Sequence, residues 1–199
     1  MLSLNEVSRG ITGAWLLAKG KREAMAVFDV SLGGFWRSFA AVFLILPIYV
    51  ATMFAQRAVL ISDTPLTVDT FPDNAFFIGN TIGLFLDWLA FPIVTALLAR
   101  PLGFADRYVP FMVARNWTSV LAIIPYSVPI LLYSLGIISA ELTTLFTLVA
   151  IFAVLYYRFM ATRISLDANV SLAVGLVVLD LVLSLLLGEA INRLIGFSG

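Results

Sequence analysis

The stretch FFIGNTIGLFLDWLAFPIVTALLAR, from Phe76 to Arg100, decides the fold of this chain. About 20 consecutive apolar residues are enough for an α-helix to cross the hydrocarbon core of a bilayer, and this stretch is longer than that. Asp87 lies at its centre, at the depth where a charged side chain costs roughly 3 kcal/mol or more. The stretch therefore predicts a membrane-spanning helix with an acidic side chain inside the bilayer.

The composition of the whole chain leads to the same class of protein. Hydrophobic residues make up 61% of the 199 residues, whereas they make up about 45–50% of a soluble domain. Charged residues make up 12%, against about 25% in a soluble domain. A single soluble core could not bury this much apolar surface. We therefore predict an all-α, polytopic membrane protein with the lipid bilayer as its first partner. The net charge of zero gives no field that would attract nucleic acid, so we expect no nucleic-acid partner.

Hydropathy divides the chain into an amphipathic segment and a membrane domain. We predict a cytoplasmic N-terminal segment at 1–34 and a transmembrane domain at 35–199. The domain contains five apolar runs, which we interpret as spanning helices. Their predicted ranges are 35–56, 76–99, 117–138, 141–163 and 170–188.

The N-terminal segment has the pattern of an amphipathic interfacial helix. Ser3 and Glu6 have the spacing of a capping box, and an apolar stripe follows at helical spacing (Leu4, Val7, Ile11, Ala14, Trp15 and Ala18). A basic cluster, Lys19, Lys21 and Arg22, comes at its end, where we expect it at the membrane surface. Two roles remain open: recruitment to anionic lipid or a partner protein, and orientation of the first span.

The basic residues predict the orientation of the chain. With five spans, ten of the twelve Lys and Arg residues fall on the side of the N-terminus, including Arg115 and Arg158. The opposite side keeps only Arg57 and Arg193. The positive-inside rule then places the N-terminus in the cytoplasm and the C-terminus outside.

Two acidic side chains in apolar runs are the candidate site. Asp87 lies in the second run and Asp180 in the fifth, and we expect no Lys, Arg or His at their depth. Burial without a counter-charge disfavours ionisation, so we expect at least one of them to be protonated at neutral pH. With Asn80 and Ser184 they form either a proton or cation site or a set of interhelical hydrogen bonds.

Two further features concern helix packing. Gly79 and Gly83 form a GxxxG motif, which allows close approach of another helix. Pro125 and Pro129 lie in the third run. A helix broken at these prolines would favour transport, and a straight packed bundle would favour a structural component.

Enzymatic function classes are largely excluded. The chain has no Cys and no His and lacks P-loop, dinucleotide-binding and hydrolase motifs. We therefore expect no catalytic residues, no cofactor and no metal site. The acidic loop with Asp63, Asp69 and Asp73 lacks the spacing of a calcium loop, so we interpret it as solvated.

The architecture over residues 35–188 resembles that of the Yip1-like membrane proteins. The residues that carry the resemblance are Phe35-Trp36-Arg37-Ser38-Phe39, Pro47, and the Gly103 loop that leads to the Pro125 helix. Bacterial members imply a multi-pass protein of the cytoplasmic (inner) membrane. The acidic Gly-Pro signature of eukaryotic members is missing, so their trafficking role does not extend to this chain, and no functional residue transfers.

Two functional hypotheses follow. In the first, the protein is a non-catalytic accessory, scaffold or assembly component that packs with other membrane proteins or with itself. In the second, it is a small proton- or cation-coupled transporter or channel that uses Asp87 and Asp180.

Overall fold

A computed structural model of the chain describes residues 3–194, and over this range the fold is a bundle of α-helices. Each long helix is connected to the next by a short turn. The helices are α1 (Leu4–Ala18), α2 (Leu32–Ser38), α3 (Val42–Asp63), α4 (Asp73–Ala99), α5 (Tyr108–Ser134), α6 (Ala140–Leu166) and α7 (Val170–Leu194). Short 3-10 segments, Arg22–Ala26, Phe39–Ala41 and Ala105–Arg107, lie between some of them.

Five helical stretches are long and apolar enough to cross a membrane, as predicted. They cover Leu32–Asp63 (α2 and α3 with the 3-10 turn between them), α4, Ala105–Ser134 (α5 with its preceding 3-10 turn), α6 and α7. Their most apolar windows are mainly exposed: in α7 only 11% of the window is buried inside the protein. The apolar surface of these helices therefore points outward.

Helix α5 is the central element of the bundle. Every residue from 111 to 119 is buried, because α5 packs against α1, α2, α3 and α6. The third predicted span, 117–138, begins too late, since the helix begins at Tyr108. Pro110 does not prevent this, because a proline in the first turn lacks only an N–H that would have no helical partner.

Helix α1 is docked on the bundle through small residues. Gly10, Gly13, Ala14 and Leu17 are buried against the rest of the protein, and the Tyr157 hydroxyl donates a 2.8 Å hydrogen bond to the Ala14 carbonyl. The predicted capping box is present at its start. Most of the predicted apolar stripe faces away from the bundle, since Leu4, Ile11 and Trp15 are exposed.

The basic cluster after α1 takes part in contacts within the chain. The Lys19 ammonium lies 4.9 Å from the centre of the Trp15 ring, and Lys21 lies 3.9 Å from the Glu23 carboxylate. Arg22 donates a 2.9 Å hydrogen bond to Asp167, which ends α6 in the left-handed region at φ 50°. The cluster therefore links the N-terminal segment to the α6–α7 turn.

Arg37 holds the start of the first spanning stretch against the N-terminal segment. It donates hydrogen bonds to Glu6 and, at 2.6 Å, to Asp29. The Ser3 backbone N–H and Arg37 hold the pKa of Glu6 below its usual range, and the Ser31 hydrogen bonds together with Arg37 do the same for the pKa of Asp29. Both acids are therefore carboxylates at neutral pH.

Candidate functional site: a central polar chamber

All five long helices line one partly open cavity of about 320 Å³, which we call the central chamber. Its wall is apolar over most of its area but contains two acids and two arginines. The polar or aromatic lining residues are Tyr49, Asp87, Trp88, Arg115, Ser119, Tyr126, Arg158, Asp180 and Ser184. Ligand pockets in proteins usually measure about 300–1,000 Å³, so this volume suits a small solute.

Asp180 is paired with an arginine inside the bundle. Arg115 donates a 2.6 Å hydrogen bond to Asp180 Oδ1, and the Arg115 side chain is only 6% exposed. The Arg115 guanidinium also lies 4.3 Å from the centre of the Phe91 ring. The expectation that no cation shares the depth of the acids is therefore wrong for Asp180. The reason is that α5 begins earlier than predicted and brings Arg115 into the bundle.

Arg158 also points into the bundle. It donates hydrogen bonds to the Arg115 carbonyl at 3.1 Å, to Thr118 Oγ1 at 3.3 Å and to Ser119 Oγ at 2.9 Å. The sequence analysis counted Arg158 among the flanking charges on the side of the N-terminus, whereas these acceptors on α5 hold its side chain inside the bundle. All three acceptors are neutral, so Arg158 places a positive charge on the chamber wall with no carboxylate bonded to it.

Asp87 lies on the other side of the chamber, where it joins α4 to α7. It accepts a 2.6 Å hydrogen bond from Ser184 Oγ. Ser184 is four residues after Asp180 on the same helix, which corresponds to about 6 Å along the helix axis. Asp87 and Ser184 also line a second cavity of about 220 Å³, which continues along α7 to Asn192. The two acids thus share one chamber but have different partners.

The other predicted site residues have local roles. Asn80 lines the second cavity, but its amide donates to the Phe76 carbonyl of its own helix at 2.9 Å. Gly79 is buried, and a Cβ on Gly83 would lie 3.5 Å from Ile191 of α7. The Gly83 end of the GxxxG motif therefore packs against another helix of the same chain.

Two enclosed groups of the chamber wall lack a hydrogen-bond partner. Among the described residues, four buried side-chain atoms lack a hydrogen-bond partner: Trp88 Nε1, Arg115 Nε, Asn116 Oδ1 and Ser127 Oγ. Trp88 and Arg115 belong to the chamber wall, whereas Asn116 and Ser127 do not. Buried polar groups normally have partners. The Trp88 and Arg115 nitrogens have almost no accessible surface, so neighbouring protein atoms enclose them and they do not open into the cavity.

The acidic loop residues do not form a cluster. Asp73 accepts a 3.0 Å hydrogen bond from Arg57, and Asp63 accepts one of 3.0 Å from the Tyr133 hydroxyl. Within residues 3–194, no group of three or more acidic side chains has an arrangement that could hold a metal ion.

Sequence reasoning identified Asp87, Asp180 and Ser184 but missed the arginines and Trp88. One signal was present in the sequence: Arg115, Ser119, Ala122 and Tyr126 recur at intervals of four, three and four residues, which places them on one helix face. This face lines the chamber. It could not be recognised from the sequence because the third predicted span, 117–138, left Arg115 outside the helix.

No family model matches this chain, and no curated protein or solved structure matches it significantly. The resemblance to Yip1-like proteins therefore stays a prediction.

Proposed function

We propose that this chain is a multi-pass membrane protein that binds a small polar solute in the central chamber, as a transporter or channel does. The observation that carries the proposal is a chamber lined by all five long helices and containing Asp87, Arg115, Arg158 and Asp180. Ionisable groups are costly inside a membrane and most often mark solute or ion pathways. We propose no catalytic role, because the chain contains neither a His to act as a general base nor a Cys to act as a thiolate nucleophile.

The exposed surface supports the membrane part of the proposal. Large apolar side chains cover the outside of the helices: Leu185 and Leu186 are each 63% exposed and Phe152 is 71% exposed. Exposed apolar surface on this scale needs an apolar solvent. We propose the bacterial cytoplasmic membrane as the location, with the N-terminus in the cytoplasm.

The scaffold hypothesis keeps one observation in its favour. Helix α5 continues without a break through Pro125 and Pro129, whereas many transporters bind solutes at discontinuous helices. A component that packs with other membrane proteins or with a second copy therefore remains the second candidate.

Solute binding is testable with a variant that fills the chamber. Ala122 is buried in the chamber wall, so Ala122→Phe places a ring in the cavity. Val178→Phe is the matched control, because Val178 is 50% exposed on α7 and a ring there points outward. Both purified variants and the wild type are heated with a panel of small anions, cations, zwitterions and neutral solutes.

We expect at least one solute to raise the Tm of the wild type and of Val178→Phe, but not that of Ala122→Phe. Solute at one hundred times its Kd stabilises by about 2.7 kcal/mol, which corresponds to a shift of about 5–10 °C for a chain of this size. If no solute of any class shifts the wild type, the solute-binding proposal is wrong and the scaffold hypothesis is favoured.

A further inference from the structure

We propose that the solute of the central chamber is a small zwitterion with one carboxylate, one ammonium group and an apolar body. This inference rests on the proposed function and adds the chemical class of the solute. It differs from the proton or cation site that the sequence indicated, because it gives Arg158 as well as Asp87 a role in binding.

The charges of the chamber wall balance, but they do not all pair with each other. The wall contains two acids and two arginines, of which Arg115 and Asp180 are joined by a 2.6 Å hydrogen bond. Within residues 3–194, Asp87 and Arg158 form no ion pair. Asp87 is bonded to the Ser184 hydroxyl, and Arg158 to neutral oxygens of α5. The chamber therefore keeps one acidic and one basic group without a charged partner.

Both of these groups are accessible, unlike the enclosed nitrogens of Trp88 and Arg115. Asp87 accepts the Ser184 hydrogen bond at Oδ1, so its Oδ2 accepts none from the described residues. Arg158 donates from its two terminal nitrogens, so its Nε has no acceptor in the same part of the chain. Neither Asp87 Oδ2 nor Arg158 Nε is one of the enclosed unpartnered atoms, and both side chains are half-buried. A ligand in the chamber therefore meets a free acceptor at Asp87 and a free donor at Arg158.

The two groups are close enough for one small molecule to bind both. Arg158 of α6 lines a small pocket together with Arg115 and Asp180, so it lies near Asp180. Asp87 of α4 is bonded to Ser184, which lies four residues after Asp180 and therefore about 6 Å further along α7. The acidic and the basic group are thus about one helical turn apart along the axis of α7.

The opposite charges of the two groups disfavour an ion with a single charge. A monoanion at Arg158 leaves Asp87 unpaired and brings a like charge into its cavity, and a monocation at Asp87 does the same to Arg158. A charge without a partner and two like charges side by side are both unfavourable in a site shielded from water. A zwitterion places its ammonium group at Asp87 and its carboxylate at Arg158, where guanidinium–carboxylate hydrogen bonds are strong.

The rest of the wall indicates an apolar body. Most of the other lining side chains are aliphatic, including Ile45, Leu84, Ile123, Val154, Val177 and Leu181. A ligand with polar groups on every side would lose hydration against this surface without new hydrogen bonds. A zwitterion with a hydrocarbon chain places that chain against these side chains.

The experiment titrates the purified protein in detergent with two zwitterions, 4-aminobutyrate and L-leucine, which carry the same charged groups at different separations. Butyrate lacks the ammonium group of the first and butylammonium lacks its carboxylate. For leucine, 4-methylpentanoate and leucinamide are the corresponding anion and cation. We expect at least one zwitterion to bind the wild type in a saturable manner, at least ten-fold more tightly than either of its singly charged analogues.

Two variants test the proposed anchors through a change of preference as well as a loss. Asp87→Asn and Arg158→Gln should each bind the zwitterion at least ten-fold more weakly. Asp87→Asn leaves a surplus positive charge on the wall, so it should prefer the anionic analogue, and Arg158→Gln should prefer the cationic one. A purely structural role of these residues does not produce opposite preferences. Asp106→Asn and Arg163→Gln are the control variants, because both residues are exposed, and they should bind as the wild type does.

Other outcomes separate this inference from the function on which it rests. If a singly charged analogue binds the wild type as tightly as its zwitterion, or if the two charge variants share one preference, the zwitterion proposal is wrong. It is also wrong if another solute of the wider panel binds while neither zwitterion does. Solute binding in the chamber then still stands. If a variant fails to fold, the comparison of probes on the wild type decides the question. If no probe and no member of the panel binds, the proposed function itself is overturned.

Discussion

The ion pair between Arg115 and Asp180 lies where neither charge reaches bulk water easily. The exposed fractions of their side chains are 6% and 17%. Moving two ions out of water is costly, and the Coulomb attraction between them compensates this only with good geometry. The 2.6 Å hydrogen bond and the stacking of Arg115 on Phe91 supply that geometry. The pair is therefore costly to break but need not add stability over an apolar pair.

This energetic asymmetry predicts the outcome of a double-mutant cycle. Asp180→Leu leaves the Arg115 charge without its partner, and Arg115→Met leaves the Asp180 charge without its partner; each change costs about 3–5 kcal/mol for a buried pair. That loss corresponds to a decrease in Tm of about 6–20 °C for a chain of this size. The double variant Arg115→Met/Asp180→Leu removes both charges, and we expect it to be more stable than either single variant. Thermal unfolding in detergent micelles measures all four proteins.

One outcome of the cycle would contradict the energetic coupling of Arg115 and Asp180. If the loss of stability in the double variant equals the sum of the losses in the two single variants, the side chains act independently and are not a pair. Arg163→Gln serves as the reference for loss of an exposed arginine, with an expected effect within about 0.5 kcal/mol.

At the residue scale, the sequence identifies costly groups but not their partners. Asp87 and Asp180 stand out because charge in an apolar run is unfavourable. Arg115 and Asp180 are 65 residues apart, and no local pattern connects them. Their contact depends on where α5 begins and on the Arg115 side chain reaching across to α7. The expectation of a protonated acid without a counter-charge does not hold for Asp180, because Arg115 is hydrogen-bonded to it.

At the scale of single elements, α1 shows how small residues fix the position of a helix. A Cβ on Gly10 would lie 2.1 Å from Trp117 Cδ2 and 2.2 Å from its Cε3. Real Cβ atoms do not approach other atoms this closely, so the hydrogen side chain of Gly10 is what allows the Trp117 ring to pack there. Trp117 itself is 5% exposed and has little space to move.

We therefore expect Gly10→Ala to loosen α1. Overpacking of this kind typically costs about 1–3 kcal/mol. Gly175→Ala is the matched control, because Gly175 is also helical but a Cβ there meets nothing within 4 Å. Trypsin cleavage after Arg9 and Lys19 measures the docking of α1, and we expect faster cleavage only in Gly10→Ala. Equal cleavage rates in both variants would show that α1 does not depend on this contact.

Helix existence was predictable from hydropathy, but helix boundaries were not. The five apolar runs became five long helices because apolar length alone decides that property. The first turns of α5 contain Tyr108, Pro110 and Arg115, which locally resemble a loop. They are helical because α1, α2, α3 and α6 surround them and the helix satisfies their backbone groups. Tertiary packing therefore determines where α5 begins, and the local sequence pattern does not show this packing.

At the scale of the whole molecule, the structure changes the argument for orientation without reversing it. Arg115 and Arg158 are inside the bundle and no longer count as flanking charges. The N-terminal side keeps Arg9, Lys19, Lys21, Arg22, Arg37, Arg100, Arg107 and Arg163, against Arg57 and Arg193 on the other side. The remaining bias still predicts a cytoplasmic N-terminus.

The orientation is directly testable because the chain contains no cysteine. Asp69→Cys marks the exposed turn before α4, and Asp106→Cys marks the exposed turn before α5. These turns lie at opposite ends of α4, so a membrane-spanning α4 places them on opposite sides. In intact bacterial cells we expect a membrane-impermeant maleimide to label Asp69→Cys and not Asp106→Cys. Permeabilised cells should show labelling of both variants, and the wild type should show none. Labelling of Asp106→Cys alone would reverse the orientation, and equal labelling of both in intact cells would contradict a membrane-spanning α4.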